Sequence, residues 1–120
     1  MLVMGKWQER ALVSAQLQEE GYRVKAFPDV DTAAAFLCGT PTLPDVVVLD
    51  FKGLVIPAEK LKALKLLLGE IPLVLCTAPH GRDREAEEVL KPAEVLVRPF
   101  TVGEVVEVVR KLVPLSRPSS

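Results

Sequence analysis

Residues 46–50 read Val46-Val47-Val48-Leu49-Asp50, and this stretch determines the expected fold. Its apolar part is continuous and mostly β-branched, which is typical of a strand that is covered on both faces in the middle of a parallel sheet. Asp50 follows directly and is therefore placed at the carboxyl end of that strand. Because parallel strands need crossover connections, the rest of the chain is expected to supply further strands and the helices between them.

Apolar runs alternate with helical patterns on both sides of this stretch. Strands are predicted at Leu2–Met4, Tyr22–Phe27, Val46–Leu49, Leu73–Cys76 and Val95–Val97. Helices are predicted at Gln8–Glu20, Thr32–Cys38, Ala58–Leu68, Asp83–Leu90 and Val102–Leu112. This alternation with short loops predicts an α/β domain of the flavodoxin-like, doubly wound class. Its five-stranded parallel sheet has the order 2-1-3-4-5 and helices on both faces.

Local signals set the expected ends and faces of the first helices. Gly21 is a suitable residue to end the first helix. Either Asp29 or Asp31 is expected to cap the second helix. The apolar residues of the first helix that are expected to share one face are Ala11, Leu12 and Ala15.

Length, composition and charge exclude several functional classes. The chain has 120 residues, of which 49% are hydrophobic, and we expect one domain at residues 1–113 and a Pro/Ser-rich tail at residues 114–120. A net charge of −1 gives no basic excess for nucleic-acid binding. No apolar run is long enough to span a membrane, and no signal peptide is visible. We therefore expect a cytoplasmic protein without a nucleic-acid or membrane partner. The lack of Asn and the 10 Pro residues hint at a thermophile source.

The cysteines and the histidine are expected to be structural residues. Cys38 and Cys76 lie in apolar surroundings and are interpreted as small buried hydrophobes, not as a disulfide. Together with the single His80 they do not make a convincing zinc site. His80 is interpreted as an exposed turn residue.

The candidate site lies where ligands bind in this class of sheet, outside the carboxyl ends of the strands. The predicted first strand ends in Met4-Gly5-Lys6, and the third ends in Asp50. The fourth ends in Thr77, and the fifth is followed by Arg98-Pro99. One acid, one hydroxyl group and two cations are therefore expected at one edge of the sheet.

These residues, in this order, resemble the motifs of bacterial response-regulator receiver (CheY-like) domains. Val47-Val48-Leu49-Asp50 resembles the strand that ends in the phosphorylated aspartate, so Asp50 is equivalent to the phosphoacceptor. Leu75-Cys76-Thr77-Ala78 resembles the strand whose terminal hydroxyl residue contacts the phosphoryl group. Val97-Arg98-Pro99-Phe100 resembles the family's Lys-Pro-Phe motif, in which the peptide bond before proline is usually cis. The resemblance covers essentially residues 1–113.

Departures from the family pattern concern the metal site. Receivers hold Mg²⁺ with two acids at the end of the first strand, and Met4 and Gly5 stand at those positions, followed by Lys6. A thioether, a hydrogen atom and an ammonium group supply none of the oxygen ligands that Mg²⁺ requires. The resemblance therefore implies a degenerate metal site and no cofactor, unless phosphorylation of Asp50 is retained.

Three further positions also differ from the family. Arg98 replaces the receiver lysine and is not an equivalent substitute. Leu54 replaces the usual loop proline, and Val95 replaces the aromatic switch residue. Asp50 is expected to pair with Lys6 or Arg98, and a cation at Lys6 would take the place of Mg²⁺.

Three functional hypotheses follow. The first is a pseudo-receiver, a stand-alone and phosphorylation-independent interaction module in two-component signal transduction, and not an enzyme. Its partner would be another signalling protein or a second copy of the chain, held by the fourth helix, fifth strand and fifth helix. The second is an atypical active response regulator that is phosphorylated on Asp50. The third is a small-ligand binder or enzyme on a flavodoxin-like scaffold, although neither a phosphate-binding Gly-rich loop nor a nucleophile with a base is visible.

Overall fold

Five parallel strands form one sheet in a computed structural model that describes residues 1–52, 56–78 and 84–114. The strands are β1 (Leu2–Met4), β2 (Ala26–Phe27), β3 (Val47–Asp50), β4 (Leu73–Thr77) and β5 (Glu94–Val97). The helices are α1 (Trp7–Glu19), α2 (Val30–Gly39), α3 (Ala58–Leu68), α4 (Arg84–Leu90) and α5 (Val102–Leu112). The sheet order is β2-β1-β3-β4-β5, so the predicted flavodoxin-like class and topology are confirmed.

Helices cover the sheet on both faces, and each face has its own apolar core. Val47 and Leu49 of β3 point to the face that is covered by α2, α3 and α4. Val48 points to the other face, where α1 and α5 pack. The apolar run of β3 is continuous because alternate side chains enter different cores, as expected for a strand that is covered on both faces.

Two of the predicted helix signals are confirmed by the local geometry. Gly21 has a φ of 102°, a left-handed conformation that glycine adopts without a Cβ penalty, directly after α1. Asp29, and not Asp31, caps α2, since its carboxylate accepts a 2.7 Å hydrogen bond from the backbone N–H of Thr32.

The predicted second strand was too long. Only Ala26 and Phe27 pair with β1, opposite Leu2 and Val3. The partner strand begins at Leu2, so the segment before Ala26 has little strand to pair with. Residues 22–24 nonetheless remain close to the core, where Tyr22 and Val24 pack as partly buried side chains.

The predicted apolar face of α1 was wrong. The buried residues of α1 are Val13 and Leu17, which are one helical turn apart, whereas Leu12 is exposed. Ala11 and Ala15 are exposed as well.

The prediction that both cysteines are buried was also wrong, since Cys76 is buried in β4 but Cys38 is exposed on α2.

Some sequence predictions fall outside the described residues. These are the roles of Leu54 and His80, the start of the fourth helix at Asp83, and the tail beyond Pro114. Within the described parts of the chain, no helix is both long enough and apolar enough to cross a membrane.

Candidate functional site

Asp50 is the buried acid at the carboxyl edge of the sheet. It is the last residue of β3, with Met4 of β1 and Cys76 of β4 beside it in register, and it is only 1% exposed. Its Oδ1 atom accepts a 3.0 Å hydrogen bond from the backbone N–H of Lys52, and its Oδ2 atom accepts one from Nη2 of Arg98. Burial raises the pKa of Asp50, and the Lys52 amide and the Arg98 charge offset this only in part.

Arg98 supplies the cation that pairs with Asp50. It follows β5 directly, and its backbone N–H donates a 2.9 Å hydrogen bond to the carbonyl of Thr77. Its guanidinium lies 4.8 Å from the centre of the Phe100 ring, which adds a cation–π contact. The Arg98–Pro99 peptide bond is cis, as the family resemblance implies.

Glu9 is a second acid on the same guanidinium. It lies in the first turn of α1, where its Oε2 atom accepts a 2.9 Å hydrogen bond from Nη2 of Arg98. Its Oε1 atom is 3.1 Å from Nζ of Lys52. Desolvation alone would raise the pKa of Glu9, but the hydrogen bonds and charges of Lys52 and Arg98 outweigh it and lower the pKa.

Glu9, Asp50, Lys52 and Arg98 together form what we call the charge cluster. It connects α1, the end of β3 and the segment after β5 through three ion pairs. Acids and bases alternate along it, so each charge has an opposite neighbour. Sequence reasoning found Asp50 and Arg98 but missed Glu9 and Lys52.

The positions that the sequence analysis predicted as a degenerate metal site lie beside this cluster. Met4 is buried in the core formed with α1 and α5, and its carbonyl accepts a 2.8 Å hydrogen bond from Nη1 of Arg10. Gly5 is partly exposed. The side chain of Lys6 is exposed at the start of α1, and among the described contacts of Asp50 the side-chain cation is Arg98. The expected role of Lys6 as the cation in place of Mg²⁺ is therefore not what the structure shows.

Thr77 occupies the neighbouring strand end. It is the last residue of β4 and is buried. The structure therefore brings Asp50, Thr77 and Arg98 to one edge of the sheet, as the strand ends predicted.

The described side chains at this edge do not fit Mg²⁺. An octahedral Mg²⁺ site needs several oxygen ligands around one point. Here the two nearest carboxylates, Asp50 and Glu9, are bound to the guanidinium of Arg98. Among the residues that the structure describes, no group of three or more His, Cys, Asp or Glu side chains is placed to hold a metal ion. In this arrangement, the guanidinium of Arg98 neutralises the buried carboxylate of Asp50.

Solved receiver domains share this architecture. The chemotaxis response regulator CheY4 of Vibrio cholerae is 21% identical, with 93% of this chain and 95% of that chain covered and a TM-score of 0.74. The HemR receiver domain of Leptospira biflexa is 22% identical, with coverage of 99% and 96% and a TM-score of 0.74.

A response regulator receiver protein of Burkholderia phymatum is 20% identical, with coverage of 98% and 96% and a TM-score of 0.75. The chain has the receiver fold. No protein-family model and no curated protein matches the sequence. Within the receiver fold, the charge cluster lies at the carboxyl edge of the sheet, where sequence reasoning had placed the candidate site.

Proposed function

We propose that the chain is a receiver-like protein-interaction module in signalling that works without phosphorylation and has no catalytic activity of its own. The observation that carries this proposal is the ion pair between Asp50 and Arg98. A phosphoacceptor carboxylate must be free to attack, and its reaction needs a cation that neutralises the transferred phosphoryl group. In this chain the carboxylate of Asp50 instead accepts a hydrogen bond from the guanidinium of Arg98, which also donates a hydrogen bond to Glu9.

The first strand supports the same proposal. Met4 and Gly5 stand where the family has its metal-binding acids, and neither side chain offers an oxygen ligand. Glu9 is an additional carboxylate at this edge, but Arg98 and Lys52 already neutralise it. No magnesium-assisted step is therefore assigned to this site.

An active single-domain response regulator is the alternative. It is favoured by one observation, namely that Asp50 and Thr77 are both present at neighbouring strand ends. This alternative requires Arg98 to leave Asp50 and a metal to bind without the usual acids. The charge cluster favours the interaction module.

The partner surface that we propose is formed by α4, β5 and α5. β5 is an edge strand of the sheet, and its residues alternate in exposure, with Val97 50% exposed. Val95 stands at the aromatic switch position of the family and is also partly exposed. Two apolar side chains on an open sheet edge suit contact with a signalling protein or with a second copy of the chain.

The decisive experiment measures the intact mass of the full chain after incubation with Mg²⁺ and acetyl phosphate. The native protein is expected to gain no phosphoryl group. A mass gain of one phosphoryl group that is absent from the Asp50→Ala variant would replace this proposal with the active-regulator alternative.

The Arg98→Lys variant separates the two obstacles to phosphorylation. It restores the family's lysine but not the metal-binding acids, so it is expected to remain unmodified. Phosphorylation of Arg98→Lys but not of the native chain would show that Arg98 alone prevents the reaction, and would overturn the role assigned to Met4 and Gly5.

A further inference from the structure

A cavity of about 450 Å³ lies at the amino-terminal edge of the sheet, on the side opposite the charge cluster. Its lining includes Met1, Lys25 and Val46, which directly precede β1, β2 and β3. The volume falls within the range of small-molecule sites, which is about 300–1,000 Å³. Nothing in the proposed signalling function uses this edge.

Two long-range hydrogen bonds and one local hydrogen bond hold the walls of this cavity in place. The amino group of Met1 donates a 2.9 Å bond to the carbonyl of Val46. The hydroxyl of Tyr22 donates a 2.8 Å bond to the carbonyl of Val113, at the end of α5. In the loop after α2, the hydroxyl of Thr40 donates a 2.9 Å bond to the carbonyl of Thr42. The cavity is therefore preformed by the fold.

The short second strand explains why space remains here. β2 pairs with β1 only at Ala26 and Phe27, and the preceding residues 22–25 run past the start of β1. Leu43 and Pro44, in the loop before β3, form another part of the lining. The cavity is the space between this segment, the loop and the end of α5.

The lining combines apolar side chains with cations. Phe36 and Leu43 provide apolar surface, while Arg23 and Lys25 are exposed cations. Neither Arg23 nor Lys25 takes part in the ion pairs found among the described residues. Asp45 is the single acid in the lining.

The amino group of Met1 contributes little of the positive charge at neutral pH. Burial lowers the pKa of this group to about 6, although the nearby Asp45 charge acts in the opposite direction. Arg23 and Lys25 are therefore the cations that a ligand would meet.

We infer that this cavity binds a small organic anion with an apolar body, such as a medium-chain carboxylate. The anionic end pairs with Arg23 and Lys25, and the apolar body contacts Phe36 and Leu43. Charge complementarity favours an anion over a neutral molecule, because two cations oppose one acid in the lining. This inference is independent of the proposed signalling function, and neither fails with the other.

The test is a titration of the ¹⁵N-labelled full chain at neutral pH with octanoate, and separately with octanol as the uncharged probe. Octanoate is expected to shift amide signals of residues 21–25 and 36–46, with at least about tenfold higher affinity than octanol. The Arg23→Gln/Lys25→Gln variant is expected to lose at least about fivefold in octanoate affinity. The Leu43→Ser variant is expected to bind both probes less tightly.

A charge-matched control removes two exposed cations elsewhere, in the Lys62→Gln/Arg84→Gln variant, which should bind octanoate as the native chain does. Three results would overturn the inference. They are equal affinity for octanoate and octanol, the same loss in the control as in the Arg23→Gln/Lys25→Gln variant, and no saturable shifts at the cavity. All variants are checked for native amide spectra before the titration.

Discussion

Asp50 and Glu9 accept hydrogen bonds from the same nitrogen atom, Nη2 of Arg98, but from different environments. The Asp50 side chain is 1% exposed, whereas that of Glu9 is 33% exposed. Burial raises the pKa of Asp50, while Lys52 and Arg98 lower the pKa of Glu9 despite its desolvation. Two carboxylates on one guanidinium therefore have opposite effects on how stability depends on pH.

The Asp50→Asn and Glu9→Gln variants each replace one of these carboxylates by a neutral amide. The effects of the two substitutions on the free energy of unfolding are expected to depend on pH with opposite signs. Asp50 has a folded-state pKa above its ordinary value of 3.8, so its stabilising contribution is complete below that pH and is lost as the pH rises through the folded-state pKa. Glu9 has a folded-state pKa below its ordinary value of 4.5, so its contribution is present above that pH and is lost as the pH falls. Urea unfolding of Asp50→Asn and Glu9→Gln across the acid range measures both effects.

At neutral pH, Asp50→Asn is expected to be at least as stable as the native chain, because the fold raises the pKa of Asp50 and so disfavours its ionised form, while Arg98 keeps its ion pair with Glu9. This advantage should shrink towards acid pH. Glu9→Gln should lose up to about 1 kcal/mol at neutral pH, and this loss should disappear in acid. The assignment is wrong if both variants change stability with the same sign of pH dependence.

Loss of Arg98 is expected to destabilise the fold through Asp50. Arg98→Ala should lower the free energy of unfolding by about 2 kcal/mol, because it leaves a buried carboxylate without its cation. In the Asp50→Asn background the same substitution should cost clearly less. Lys52→Ala, which removes only an exposed partner of Glu9, should cost about 0.5 kcal/mol or less. Equal costs of Arg98→Ala in the two backgrounds would argue against coupling between Asp50 and Arg98.

Two leucines on α3 provide a matched test of the core. Leu64 is 1% exposed and packs beneath the sheet, whereas Leu66 is 85% exposed. Leu64→Ala should lower the free energy of unfolding by about 3 kcal/mol. Leu66→Ala should change it by no more than about 0.5 kcal/mol. Chemical denaturation of both variants checks this, and similar losses would contradict the orientation of α3.

The two thiols are expected to differ in reactivity. Cys38 is exposed on α2, while burial raises the pKa of the Cys76 thiol to about 12. An aromatic disulfide reagent at neutral pH should therefore modify one thiol in the native protein and two in urea. Cys38→Ser should abolish the native reaction, whereas Cys76→Ser should leave it intact. Rapid modification of Cys76 in the native chain would disprove its burial.

The fold was predictable from the sequence because its strongest signals are local and periodic. The apolar run of β3 and the spacing of Leu61, Leu64 and Leu68 in α3 each specify an element without information from the rest of the chain. The extent of β2 was not predictable in this way. It depends on where β1 begins, which is a property of the pairing and not of either segment alone.

The buried face of α1 shows a second limit of sequence reasoning. Alanines and an exposed leucine gave α1 an apparent apolar face, but Val13 and Leu17 are the residues that enter the core. The helix carries many polar residues and few large apolar ones, so several orientations agree with its pattern. Packing against α5 selects among them.

The candidate site was only half predictable. Strand ends identified Asp50, Thr77 and Arg98, because the parallel topology brings such ends together. Glu9 was missed because it lies on a helix, where its position depends on how α1 leaves the sheet. The sequence did contain a signal for Glu9. It is an acid in the first turn of α1, the helix that follows β1 at the edge where Arg98 was expected.

The hydrogen bond from Tyr22 to the carbonyl of Val113 joins positions that are 91 residues apart. On the same face, α1 packs against α5, so Val13 and Leu17 share a core with Val105 and Val109. During synthesis the amino-terminal helix leaves the ribosome well before its packing partner exists. Until α5 has emerged, the nascent chain exposes the apolar side of α1 and one face of the sheet. Completion of this fold therefore awaits the synthesis of α5.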